Sequence, residues 1–151
     1  MIAIGSDHGG LQLKEAIRTY LVGRGLCVSD LGTNDDDSVD YPDFGAKVAQ
    51  AVSSQTVAQG ILICGTGIGM SIAANKFPGI RAALVWDDFT AQMAKEHNNA
   101  NILVLGGRVL SGENACRMVG IWLDSSFAGG RHQGRIDKIA QIEEDVRHGR
   151  L

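Results

Sequence analysis

"GILICGTGIGMSIAANK", residues Gly60 to Lys76, runs from an apolar segment through closely spaced glycines into residues that suit the start of a helix. It reads as strand, tight loop and helix, which is one unit of an alternating α/β chain. The same alternation recurs elsewhere. Ile2 to Ser6 (IAIGS), Leu26 to Leu31 (LCVSDL), Arg81 to Trp86 (RAALVW) and Asn101 to Gly106 (NILVLG) read as further strands. They are apolar almost throughout, as strands covered on both faces are. Helical patterns lie between them: Leu13, Ala16, Ile17, Tyr20 and Leu21 share one face, and Phe44, Val48, Ala51 and Val52 share another. Pro42 suits a first helical position. Ser111 suits a cap for the pattern Ala115, Met118, Val119 and Trp122, and Ile136, Ile139, Ala140, Ile142 and Val146 predict a closing helix. The economical fold is a parallel, doubly wound α/β sheet in a single domain, residues 1–151.

Composition narrows the function. The chain has 151 residues, 44% of them hydrophobic, enough for one core and not for two domains. The opening "MIAIGSDHGG" has no basic segment and no long apolar core, and about 18 unbroken apolar residues occur nowhere, so a cytoplasmic protein without a membrane span is expected. Cys27, Cys64 and Cys116 match neither a disulfide framework nor a zinc pattern; Cys27 and Cys116 are expected to be buried, inert thiols. A net charge of −3 with interspersed signs offers no cationic field for nucleic acid. The expected partner is a small molecule.

In such sheets ligands sit at the carboxyl ends of the strands. Three polar clusters are therefore expected to converge on one rim: "SDHGG" (Ser6 to Gly10), "CGTGIGMS" (Cys64 to Ser71) and "EHNNAN" (Glu96 to Asn101). Gly65, Gly67 and Gly69 permit a loop whose N–H groups turn inward as an anion-binding nest at a helix start. Cys64 at that seam is placed where a helix end stabilises a thiolate. Two other loop families are excluded by spacing. A GxGxxG dinucleotide fingerprint from Gly65, and a tyrosine-phosphatase loop with arginine six positions after Cys64, both fail at Met70.

Taken together, "GSDHGG", "DYPDFG", "GILICGTGIGMSIAANKFPGIRAAL", "EHNNANILVLGGRV" and "FAGGRHQGR" resemble the ribose-5-phosphate isomerase B family, which includes galactose-6-phosphate isomerase subunits and some tetrose-phosphate isomerases. The likeness runs from Met1 to about Ile142 and rests on several motifs in the family's order. It implies a Rossmann-like three-layer α/β/α sandwich with a five-stranded parallel sheet and a homodimer with shared sites that can pair into tetramers. It also implies aldose–ketose isomerisation without metal or organic cofactor. The residues suit that chemistry. One proton moves between C2 and C1 through a cis-enediolate, which needs a base and an oxyanion hole. Cys64 would be the base, and N–H groups from Gly65 to Ser71, with Gly67 and Gly69 among them, would hold the oxyanion. Some relatives carry glutamate where this chain has Met70, which takes no proton, so the pattern is of the cysteine type.

The resemblance assigns ring opening to His97 with Thr66 in support, and imidazole suits a proton shuttle. It gives Asn98 the substrate hydroxyls or enediolate, and Asp7 and Tyr41 the orientation of the sugar. Asn99 stands where the family more often has aspartate. Arg131 and Arg135, four apart at a helix start, place positive charge against the macrodipole, which points to an anionic guest. By the resemblance they join His8 and Arg108 as the phosphate set, with His132 a weaker member. The expected activity is interconversion of ribose 5-phosphate and ribulose 5-phosphate. The alternatives are hexose 6-phosphate or tetrose 4-phosphate isomerisation, or a non-catalytic sugar-phosphate sensor, which would have lost the base or the acid.

Overall fold

In the computed structural model, which describes residues Met1 to Leu151, five strands form one all-parallel sheet. They are β1 (Ile2–Ser6), β2 (Val28–Asp30), β3 (Gln59–Cys64), β4 (Ala82–Leu84) and β5 (Ile102–Gly106), in the order β2-β1-β3-β5-β4. The central three are buried at nearly every position, as their continuous apolar runs require. The edge strands are shorter than expected: LCVSDL and RAALVW each form only three residues of strand, because each has a neighbour on one side only. Cys27, just before β2, is exposed and not buried as expected, and Cys116 is half-buried.

Six helices complete the chain: α1 (Leu11–Gly23), α2 (Tyr41–Ser53), α3 (Ile68–Ala74), α4 (Asp88–Glu96), α5 (Gly112–Asp124) and α6 (Arg131–Arg147). The strands alternate sides. Ile4, Ile61, Ile63, Leu103 and Leu105 pack with α1, α4 and α5, whereas Ala3, Leu62, Cys64, Ile102 and Val104 pack with α2 and α3. This is the expected three-layer sandwich. Each fully buried Ile or Leu contributes about 1.5–3 kcal/mol. Lys14 is fully buried on α1, where its ammonium meets Asp30 and the Thr33 carbonyl, each at 2.7 Å, and ties the loop after β2 to the core. Ser111 caps α5 through the Asn114 N–H, and Pro42 lies in the first turn of α2. Helix α6 forms as expected, but its apolar face does not enter the core: Ile139, Ile142 and Val146 stay exposed along a groove shared with Ile80. No helix is long and apolar enough to cross a membrane.

Candidate active site

The chain leaves β1 toward β2 on one side and returns to β3 on the other, so the carboxyl ends of β1 and β3 flank the reversal of strand order where such sheets bind ligands. Asp7 and His8 leave β1 there. The Asp7 carboxylate is buried and accepts the Gly10 N–H at 3.1 Å, closing a short 3-10 turn over His8 to Gly10. His8 Nδ1 accepts the Val39 N–H at 3.2 Å, which leaves Nε2 as the ring nitrogen that can donate outward.

Cys64 ends β3 and is buried to 5% exposure. Its Sγ accepts the Gly67 N–H at 3.2 Å. Gly67 caps α3 at φ 82°, and a Cβ there would lie 2.5 Å from Leu84 Cδ1 and 3.1 Å from the Leu105 carbonyl, so only glycine turns this corner. A Cβ on Gly69 would lie 2.5 Å from the Tyr41 ring, which therefore packs directly on the loop backbone. Ile68 N–H is taken by Thr66 Oγ1 at 3.3 Å, but the N–H groups of Gly65, Thr66, Gly69 and Met70 meet no protein acceptor. Contrary to expectation, Gly67 and Ser71 are not free oxyanion donors, since the Gly67 N–H goes to Cys64 Sγ and the Ser71 N–H to the Gly67 carbonyl at 3.0 Å; Met70 is fully buried in the core. Beyond β5, the Gly107 and Arg108 N–H groups bond the Cys64 and Gly65 carbonyls, and the Arg108 guanidinium lies across Gly65. The result is a buried sulfur beside unpaired N–H donors, rimmed by His8, Tyr41 and Arg108.

Contrary to expectation, the three polar clusters do not converge on one rim of a single chain. His97 and Asn98 follow α4 and precede β5, so they lie at the amino end of the sheet, whereas Cys64 and Thr66 follow β3 at the carboxyl end. A segment entering a parallel strand and one leaving its neighbour are at opposite rims, roughly 15 Å apart for strands of this length. Within one chain Thr66 cannot support His97, and the phosphate set is divided. His8 and Arg108 lie at the carboxyl rim. Arg131 and Arg135 open α6 at the amino rim, both exposed. There the His97 and His132 rings stack at 4.1 Å between centroids, 14° from parallel. Burial first, then the charges of His97, Arg131 and Arg135, push the His132 imidazole below its ordinary value.

The sequence matches the Ribose/Galactose Isomerase family over residues 2–139. The chain belongs to that family. It is 48% identical over 143 residues to Ribose-5-phosphate isomerase B of Escherichia coli (strain K12), spanning 95% of this chain and 96% of that protein. The Ribose-5-Phosphate Isomerase B structure from Clostridium thermocellum superposes with TM-score 0.94 at 54% identity, over 96% of this chain and 98% of that one. The Mycoplasma genitalium enzyme, solved with bound ribulose-5-phosphate, superposes with TM-score 0.92 at 46% identity, over 95% of this chain and 96% of that one.

The amino rim of this chain also carries groups that no sequence motif marks. The Ala100 carbonyl accepts from Trp122 Nε1 at 3.3 Å and from Lys95 Nζ at 3.4 Å, and the Lys95 ammonium lies 4.5 Å from the Trp122 ring centroid. Burial, then the Arg81 charge, lowers the Lys95 pKa. Arg81 bonds the Asn98 and Asn99 carbonyls. Asn99 has φ 43°, a left-handed conformation that Asn and Asp tolerate better than other side chains. Its place in the turn thus accepts either residue. A charge at the start of a strand pattern was the one available signal for Arg81.

Proposed function

We propose that this family member interconverts D-ribose 5-phosphate and D-ribulose 5-phosphate, in the cytoplasm, as one domain over residues 1–151 and as a homodimer, able to pair into tetramers, with shared sites. The carrying observation is the Cys64 sulfur held beside N–H groups of Gly65, Thr66, Gly69 and Met70 that have no other acceptor. The opposite placement of His97 supports the shared site: one copy would supply Cys64 and Thr66, the other His97, Asn98, Arg131 and Arg135.

His97, with Thr66 of the other copy in support, takes the proton of the C1 hydroxyl and delivers it to the ring oxygen as the bond from C1 to that oxygen breaks, and the sugar opens to its aldehyde. Cys64 thiolate then removes the C2 proton. The electron pair of that C–H bond becomes the C1–C2 double bond of a cis-enediolate, and negative charge passes to O1, where the loop N–H groups and Asn98 stabilise it. The thiol returns the proton to C1, a hydroxyl proton passes from O2 to O1, and the ketose forms. Asp7 and Tyr41 orient the chain, while His8, Arg108, Arg131, Arg135 and, more weakly, His132 hold phosphate. Backbone and side-chain groups carry every step, so neither metal nor organic cofactor is needed in this scheme.

Turnover over four-, five- and six-carbon aldose phosphates, ranked by kcat/KM, tests the reading. Ribose 5-phosphate should rank first. A higher rank for a tetrose 4-phosphate or hexose 6-phosphate moves the assignment within the family, and binding without turnover of any of them identifies a sensor.

A further inference from the structure

The turn that carries His97 and Asn98 is held by an unusual partner for exposed backbone. Arg81 Nε donates to the Asn98 and Asn99 carbonyls, each at 3.1 Å, and Nη2 donates to the Asn99 carbonyl at 2.9 Å. All three guanidinium hydrogen bonds go to these two carbonyls. Asn101 completes the clamp: its Oδ1 accepts the Arg81 N–H at 2.8 Å and its Nδ2 donates to the Gly79 carbonyl at 2.9 Å. The Gly79 N–H in turn bonds the Glu143 carboxylate of α6 at 2.9 and 3.0 Å.

Asn98 is exposed, so water would satisfy its carbonyl without help. A half-buried guanidinium there adds order, not satisfaction. A planar fork spans two successive carbonyls, which a single ammonium cannot do. The turn needs such a brace, because Asn99 sits in the sparsely populated left-handed region. The His97 ring is braced separately by its stack on His132. The Asn98 side chain, by contrast, makes no hydrogen bond within the chain, so its aim depends on its backbone.

We propose that Arg81 is a positioning residue for the isomerisation, its guanidinium fixing the Asn98 and Asn99 carbonyls and so aiming the Asn98 side chain at the enediolate. The inference rests on the proposed reaction. Misplacing a reacting or stabilising group by about 1 Å costs about 10²-fold in rate, so R81A should lower kcat by about that factor. KM should stay within about threefold, because Arg131 and Arg135 are untouched. R81K keeps the charge and loses the fork, and should fall between R81A and wild type.

The deciding experiment is a double-mutant cycle with N98A, read as kcat on ribose 5-phosphate, with thermal melts recorded for every variant. If Arg81 acts through Asn98, R81A/N98A loses no more than the worse single variant. Losses that multiply give Arg81 an independent structural role and overturn the proposal. So do R81A within about twofold of wild type, N98A at wild-type turnover, or a KM rise at constant kcat. Where R81A melts below the assay temperature, R81K and R81K/N98A form the cycle. Absence of wild-type turnover overturns the reaction itself and this inference with it, whereas wild-type turnover with multiplicative losses removes Arg81 alone.

Discussion

The two rims hold their reactive groups by different means. At the carboxyl rim, Cys64 ends β3 at a loop fixed mainly by backbone groups: a left-handed glycine, an N–H bonded to the sulfur, and two N–H bonds from the exit of β5. At the amino rim, the turn of His97 and Asn98 is held by side chains: Arg81 on its carbonyls, His132 on the His97 ring, and Trp122 with the nearby Lys95 on the Ala100 carbonyl that follows. The first half is part of the core and the second is assembled around it. A backbone-held group tolerates little local change, and a side-chain-held group can be weakened one tie at a time.

The largest expected effect separates chemistry from scaffold at the carboxyl rim. Cys64→Ala should fold and bind phosphate yet lose about 10³-fold in exchange of the C2 proton with solvent, measured as deuterium uptake in D2O. Wild-type exchange in that variant would remove Cys64 from the mechanism. Joining the rims is the next test. Cys64→Ala and His97→Asn homodimers should both be inactive, but unfolding and refolding equal amounts should give heterodimers in about half the molecules, each with one intact site. Activity should recover to about a quarter of wild type. If heterodimers form and activity does not rise, both groups serve one site within a single chain.

Stability should show the same contrast. Gly67→Ala forces a side chain into a left-handed corner against Leu84 and Leu105, and should cost about 3 kcal/mol. Gly79→Ala, at φ 72° with open space around it, should cost about 1 kcal/mol. Equal losses in urea denaturation would show that the loop is no tighter than the opposite rim. The smallest effect concerns pH. The depressed His132 means that the unfolded chain binds the proton more readily, so stability is full above the ordinary histidine pKa of about 6.5 and declines as pH falls from there toward the folded-state value. His132→Gln should flatten that decline in Tm; an unchanged slope would assign the acid sensitivity to other groups.

Much of this was legible in the chain because it is local. Ile2 to Ser6, Gly60 to Cys64 and Asn101 to Gly106 declare buried parallel strands by continuous apolarity, Gly67 declares a turn that other residues cannot make, and Arg131 and Arg135 declare a shared helix face by their spacing. Motif order was enough to indicate the family. Which rim received each cluster was decided by strand direction and pairing: EHNNAN looks like a neighbour of the glycine loop in a list of motifs, yet it feeds the amino end of β5. The exposure of Cys27, the packing of Tyr41 on Gly69 and the Arg81 brace were likewise decided in three dimensions. Sequence periodicity reports the face an element presents, but contacts between segments far apart along the chain exist only once the sheet has set their distance and orientation.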